Sequence, residues 1–274
     1  MTVAAVSGAE RIGRAFARAK EERRLAVAIY LTVGFPSRAE TGALVAAAID
    51  GGADVVELGV PFSDPLADGA TVQRASERAL REGITLGDCL AAASAAATTE
   101  VALLLMGYAN PFLRYRRGLA DLATDAAAAG VCGLIVPDVP AEESAEFDDA
   151  LAPAGLVRID LYAPTTPDAR LERLVPRSRG FVYCVSLTGV TGARTALAAD
   201  VRDFVGRVRR HTALPVAVGF GISRPEHVAA LRGVADGVIV GSAALDAIGA
   251  APESRRADAL RELVAALVAA GRSA

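Results

Sequence analysis

From its first residues the chain alternates between short, continuously apolar runs and longer segments whose apolar positions recur at helical spacing. Leu25–Thr32 reads LAVAIYLT and is closed by Gly34, Phe35 and Pro36. A run of that length, apolar on both faces, predicts a strand buried on both sides, as in a parallel sheet covered by helices. Similar runs recur at Ala53–Gly59, Val101–Met106, Gly133–Val136, Leu156–Leu161, Phe181–Val185, Pro215–Val218 and Gly237–Val240. Between them, apolar residues at i, i+3 and i+4 predict helices over Ala9–Arg24, Ala70–Glu82, Leu86–Ala97, Leu119–Ala129, Glu142–Leu151 and Asp168–Val175. Further helices are predicted over Val201–Arg210, Pro225–Arg232, Ala243–Ile248 and Glu253–Val268, and from a capping Ser37 to Ile49.

Eight strand-then-helix units in about 250 residues match the count of an α/β (β/α)8 TIM barrel. The helix ahead of the first strand is then an extra N-terminal one. An open, doubly wound sheet is the alternative, but it usually has fewer units and a Gly-rich nucleotide loop, and no such fingerprint occurs. No Pro- or Ser-rich linker or charge block interrupts the pattern, so a single domain over residues 1–274 is expected.

Composition narrows the function classes. A hydrophobic content of 53% is ample for a large core and excludes disorder. With 29 basic and 32 acidic residues the net charge is −3, which argues against nucleic acid as a partner and leaves room for a local phosphate site. No apolar run approaches the roughly 20 residues of a membrane span, and the opening residues lack a signal peptide's apolar core. Cys89, Cys132 and Cys184 have no paired spacing and fit a reducing, cytoplasmic setting. Lys20 is the only lysine, so none is available within the fold for a Schiff base. The two histidines, His211 and His227, read as surface helix residues without a role, and no metal site is predicted.

The chemistry concentrates in Val55–Leu80, VVELGVPFSDPLADGATVQRASERAL. Glu57 sits inside an apolar strand, where an ionised carboxylate costs several kcal/mol unless it is paired or put to use. Asp68 follows on a polar loop that can fold back over the strand end. Two carboxylates in different environments are a common way to divide acid and base duties. The structural alternatives are a buried Glu57 paired with an arginine and a solvated Asp68.

Chemistry in such a barrel collects where strands end and loops begin. Gly219, Gly221 and Ser223 follow the seventh strand, and Gly241 and Ser242 follow the eighth and open a short helix with Ser242 as its cap. Glycines admit an anion close to backbone N–H groups, and a helix N-terminus adds positive partial charge, so a phosphorylated small molecule is expected here. The loop after strand six, Ser186–Asp200, reads either as a plain surface loop or as a lid, with Gly192 reaching the phosphate and Thr191 orienting a catalytic acid. Tyr30, Phe35, Met106, Tyr108, Phe112 and Tyr183 cluster at strand ends as core or pocket residues. Tyr30 and Tyr183 are the better pocket candidates, because a buried hydroxyl wants a polar partner near the mouth.

ELGVPFSDPLADG at Glu57–Gly69 resembles the signature of the tryptophan synthase alpha chain family. The likeness continues through YLTVGFP, MGYANP, VPDVPAEES, GVTGAR, GFGIS and GSA, in order, over nearly the whole chain. It implies cleavage of indole-3-glycerol phosphate to indole and D-glyceraldehyde 3-phosphate in L-tryptophan biosynthesis. The assembly implied is an α2β2 complex whose beta chain, not this one, carries pyridoxal phosphate. By the same resemblance Glu57 is the general acid/base and Asp68 the second carboxylate. Gly192, Gly221, Gly241 and Ser242 contact phosphate, Thr191 is the lid threonine, and Tyr183 is the active-site tyrosine. Asp64 and Asn110 would lie near the beta chain. Departures are Ile29, where a proline is frequent, and Pro137, where some members have alanine, both expected to affect pocket shape.

Aldol-type carbon–carbon cleavage needs an electron sink. The residue inventory argues against an imine or a metal, which leaves the indole ring. Protonation at C3 makes an indolenine whose C=N accepts the bonding pair. Glu57 is expected to deliver that proton and then help deprotonate the side-chain hydroxyl. Asp68 is expected to accept a hydrogen bond from N1–H and take that proton as the ring rearomatises. The rival readings are another sugar-phosphate barrel enzyme, a catalytically weak subunit that activates a partner, and a stand-alone indole-3-glycerol-phosphate lyase without a beta chain.

Overall fold

The computed structural model describes residues 6–97, 100–185, 194–219 and 221–273. Eight strands run parallel: β1 (Ala26–Thr32), β2 (Val55–Gly59), β3 (Ala102–Met106), β4 (Val131–Ile135), β5 (Val157–Tyr162), β6 (Val182–Val185), β7 (Val216–Gly219) and β8 (Gly237–Val240). Each pairs with the next, and β8 returns to β1, closing the (β/α)8 barrel. The helices are α1 (Gly8–Glu21), α2 (Thr41–Asp50), α3 (Ala70–Arg81), α4 (Leu86–Ala96), α5 (Ala109–Leu113) and α6 (Leu119–Ala128). They continue as α7 (Ala145–Leu151), α8 (Asp168–Leu174), α9 (Arg194–Arg209), α10 (Pro225–Ala230), α11 (Ser242–Ala250) and α12 (Arg256–Ala270).

The two-residue period of each strand divides the apolar residues into two cores. Val56 and Leu58 of β2 join the layer between sheet and helices. Val55 joins the barrel interior with Ala28, Leu104, Ile135, Ile159 and Ile239, so Glu57, two residues on, also faces inward.

The interior is closed at its lower end by α1, which buries Ile12, Ala15, Phe16 and Ala19 and sets the Phe16 ring at a tilt against Phe181, with ring centroids 5.4 Å apart. Ser7 caps this helix reciprocally: its Oγ accepts from the Glu10 N–H at 3.3 Å, while Glu10 accepts from the Ser7 N–H at 2.9 Å. Ser7→Ala is therefore expected to lower the melting midpoint by about 2–4 °C in a thermal scan. Asp54, fully buried below β2, accepts from the two terminal guanidinium nitrogens of Arg24 (2.5 and 2.9 Å), from Arg18 (3.0 Å) and from the Val27 N–H (3.0 Å). Four donors on two carboxylate oxygens offset the cost of burying its charge.

The structure differs from the sequence pattern at several ends. β4 begins at Val131 and carries Gly133 inside the strand, where a Cβ would lie 2.2 Å from the Val157 carbonyl oxygen. α5 forms despite Pro111, which falls in its first turn, where a missing N–H breaks no helical bond. α9 starts at Arg194 rather than Val201, consistent with the Ala-rich segment that begins it. Ser37 precedes a 3-10 turn and donates to Glu40 at 2.7 Å instead of capping a helix. Ser242 is the first residue of α11, and Gly241 takes the cap position. Among the described residues no helix is long and apolar enough to cross a membrane.

Candidate active site

Glu57 is fully buried, and neither of its oxygens meets a hydrogen-bond donor among the described residues. Its strand neighbours in register are Tyr30 of β1 and Leu104 of β3. Burial alone pushes its carboxyl up to about 8. The arginine-paired alternative does not hold for Glu57. Asp54, three residues earlier and just ahead of β2, is a buried acid that does pair with arginine. An acid left unpaired at the barrel interior is a functional-site candidate on physical grounds.

Asp68 lies on the loop after β2, half-buried. Burial raises its carboxyl to about 6, against a hydrogen bond from Tyr108 that pulls it down. The Tyr108 hydroxyl also accepts from the Ala67 N–H at 2.9 Å, and its ring stacks on Phe62 with centroids 5.2 Å apart. Tyr108 thus pins the loop that carries Asp68. Asp68 and Glu57 both act on Tyr30 and Tyr183, whose hydroxyls burial holds well above the ordinary phenol value. Their environments set the two carboxyls apart, Glu57 pushed up to about 8 and Asp68 to about 6, which makes Glu57 the weaker acid.

Tyr30, Met106 and Tyr183 line the same interior cluster. Two glycines make room for the tyrosines. A Cβ on Gly59 would lie 2.2 Å from the Tyr30 hydroxyl, and one on Gly219 would lie 2.4 Å from that of Tyr183. The Tyr30 hydroxyl accepts from Thr32 at 3.2 Å. Gly241 lies against the other side of Tyr30, with its Cβ position 3.5 Å from the Tyr30 Cβ. The turn after β8 and strand β2, which carries Glu57 in register with Tyr30, thus lie on either side of β1.

Gly221 is exposed with φ +83°, a left-handed conformation suited to glycine. The first turn of α11 presents the N–H groups of Ser242 and Ala243, the usual free donors of a helix start. Thr191 and Gly192 lie outside the described residues, as does the loop portion 186–193 of the expected lid; residues 194–200 are helical. Asp64 is exposed on the loop after β2, as is Leu66, which is 93% exposed, and Asn110 is exposed in the first turn of α5. Ile29 points into the sheet–helix layer and not the pocket, and Pro137 lines a separate cleft of about 210 Å³ with Asp160 and Arg170.

Sequence reasoning missed two contributors. Asp138 accepts from the Ala109 N–H at 2.9 Å and ties the loop after β4 to the start of α5. His227, read as having no role, reaches back from α10 to Gly221 and Ser223. Its place four residues after Ser223, behind Pro225 at a helix start, is the signal that would have found it.

Comparison with known proteins places this site in context. A family profile described as "Tryptophan synthase alpha chain" matches residues 16–270. A tryptophan synthase alpha chain from Chloroflexus aggregans is 50% identical over 262 residues, covering 93% of this chain and 97% of that one. One from Roseiflexus castenholzii is 52% identical over 240 residues, covering 87% and 91%. Among solved structures, tryptophan synthase from Mycobacterium tuberculosis superposes with a TM-score of 0.87 at 40% identity, covering 96% of this chain and 99% of the other. The alpha chain from Legionella pneumophila gives 0.85 at 34% identity, covering 95% and 96%.

Proposed function

The chain belongs to the tryptophan synthase alpha chain family, and from that premise we propose how its barrel mouth cleaves indole-3-glycerol phosphate to indole and D-glyceraldehyde 3-phosphate. The observation that carries the reading is Glu57, buried, unpartnered among the described residues and holding its proton up to about pH 8. A carboxylic acid in that state delivers a proton to indole C3, which becomes tetrahedral while the ring nitrogen takes the positive charge. The glycerol hydroxyl next to C3 loses its proton to the Glu57 carboxylate just formed. The C–O bond becomes C=O, the carbon–carbon bond breaks, and its electron pair returns to the ring. One proton has moved from oxygen to carbon, and Glu57 ends as it began.

Asp68, ionised at neutral pH, accepts the N1–H hydrogen bond and is worth most when the ring is cationic. Tyr108 fixes its loop, and Tyr30, Met106 and Tyr183 pack the indole. Gly221, Gly241 and Ser242 take the phosphate, with Gly192, and Thr191 acts from the lid. Binding energy at the phosphate positions a bond that Glu57 must reach.

The family name carries a beta chain as partner, and we assign it an α2β2 assembly in the cytoplasm, with pyridoxal phosphate confined to the beta chain. Asp64, Asn110 and the exposed Leu66 then belong to the face that meets it. The chain works as one domain. The stand-alone lyase finds no support in the comparisons. The deciding experiment is spectroscopic detection of indole from indole-3-glycerol phosphate by the isolated chain, with and without a beta chain. Indole release stimulated by the beta chain supports the reading; no release in either case overturns it.

The pH profile follows from the two carboxyls. Activity needs Asp68 ionised and Glu57 protonated, so kcat/KM should rise with pH through about 6 and fall through about 8. A profile flat across both limbs would reassign the acid and base.

A further inference from the structure

We propose that His227 is a positioning residue for the phosphate turn after β7, its Nδ1 deciding which backbone groups of that turn are offered to the substrate. The inference rests on reading Gly221 as a phosphate contact. Nδ1 lies 3.1 Å from the Gly221 carbonyl oxygen, 3.3 Å from the Ser223 N–H that donates toward it, and 3.5 Å from the Ser223 hydroxyl. One ring nitrogen carries either a lone pair or a proton. With the lone pair it accepts the Ser223 N–H, and the Gly221 carbonyl faces it with no hydrogen between them. With the proton it donates to the Gly221 carbonyl, and the Ser223 N–H is released.

A phosphate accepts hydrogen bonds and repels carbonyl oxygens. The state with a proton on Nδ1 suits it on both counts, because the carbonyl is engaged and an amide is free. Gly221 is held at φ +83°, so a contact that fixes its carbonyl also fixes the orientation of the left-handed turn. Pro225 at the first position of α10 sets where that helix begins and so holds the ring over the turn. Phosphate binding therefore selects the Nδ1–H form, and His227 prepares the turn without touching the reacting atoms.

The test compares His227→Ala, His227→Asn and His227→Gln in steady-state kinetics on indole-3-glycerol phosphate and in calorimetric binding of glycerol 3-phosphate. An asparagine amide places a donor and an acceptor where Nδ1 sits, whereas a glutamine amide reaches one bond too far. Alanine and glutamine are expected to raise KM and the glycerol 3-phosphate Kd about tenfold, the loss of one net hydrogen bond, with kcat within about twofold. Asparagine should restore both to within about threefold, and affinity for free indole should not move. In wild-type protein, ¹⁵N NMR should show the Nδ1–H fraction of His227 rising as glycerol 3-phosphate is added.

Unchanged KM and Kd in the alanine and glutamine variants overturn the inference. So does a parallel loss of indole affinity, which would mark a general loosening of the fold. If the alanine variant does not fold, the asparagine–glutamine pair decides. A wild-type protein that binds glycerol 3-phosphate but releases no indole would sink the proposed reaction and leave the binding arm of this test intact.

Discussion

Glu57→Gln is expected to lower indole release by about 10²–10⁴-fold while leaving KM within a few-fold. Glutamine keeps the shape of the buried side chain but has no acidic proton to deliver to C3. The same substitution should make the protein more stable at alkaline pH. Folded Glu57 holds its proton up to about 8, whereas the unfolded carboxyl releases it near its ordinary value of 4.5. Between those two values the folded state binds the extra proton, so wild-type stability falls with rising pH by about 1.4 kcal/mol per unit from this group alone. Below 4.5 the group contributes no slope, and above about 8 its full penalty is in force. Glutamine removes the slope. Thermal melts of both proteins from pH 5 to pH 9 should therefore diverge toward the alkaline end, with the inactive variant the more stable. A variant that loses activity yet melts in parallel with wild type at every pH would refute an unpaired, proton-holding Glu57.

Asp68→Asn should cost about 10²–10³-fold in kcat/KM. Asparagine retains an oxygen able to accept from indole N1–H, so the substitution removes the charge and little of the hydrogen bond. A full charge about 4 Å from the cationic ring nitrogen is worth about 4 kcal/mol at the effective dielectric of a partly exposed site, which bounds the loss near a thousandfold. The acid limb of the pH profile should lose its Asp68 component while the alkaline limb remains. Burial and Asp68 together raise the Tyr108 hydroxyl, so spectrophotometric titration of Tyr108 should move downward in the variant. A loss confined to KM, with the acid limb intact, would make Asp68 a binding group and not a stabiliser of charge.

Much of this site was legible in the chain because it obeys the two-residue period of a strand. Once Val55–Gly59 reads as a strand, Glu57 must share a face with Val55, and the inward glycine at 59 falls where the Tyr30 hydroxyl needs space. The errors came where a residue type has two meanings. Gly133 looked like a strand boundary, yet it sits mid-strand because the Val157 carbonyl of β5 passes too close for a Cβ. Asn110–Pro111 falls outside every helix the sequence pattern predicts, yet a proline in the first turn is compatible with α5. Asp54, just ahead of β2, and Glu57 within it are both buried acids, and the local sequence does not say which one Arg18 of α1 and Arg24 beyond it reach. That depends on where α1 crosses the barrel floor, a long-range fact. His227 is a local case by contrast: its ring reaches back four to six residues onto the turn, and the signal is its spacing from Ser223 and Pro225, not an apolar period.

The ladder joining β1 to β8 sets a timing problem for synthesis. Ala26–Ile29 wait for Gly237–Val240, which leave the ribosome about 200 residues later, on the order of 10–40 s at ordinary elongation rates. Throughout that interval one edge of the nascent sheet offers bare amides and carbonyls to any neighbouring chain. Cellular yield is thus expected to improve when expression is slowed at low temperature, which thins the crowd of such unpaired edges.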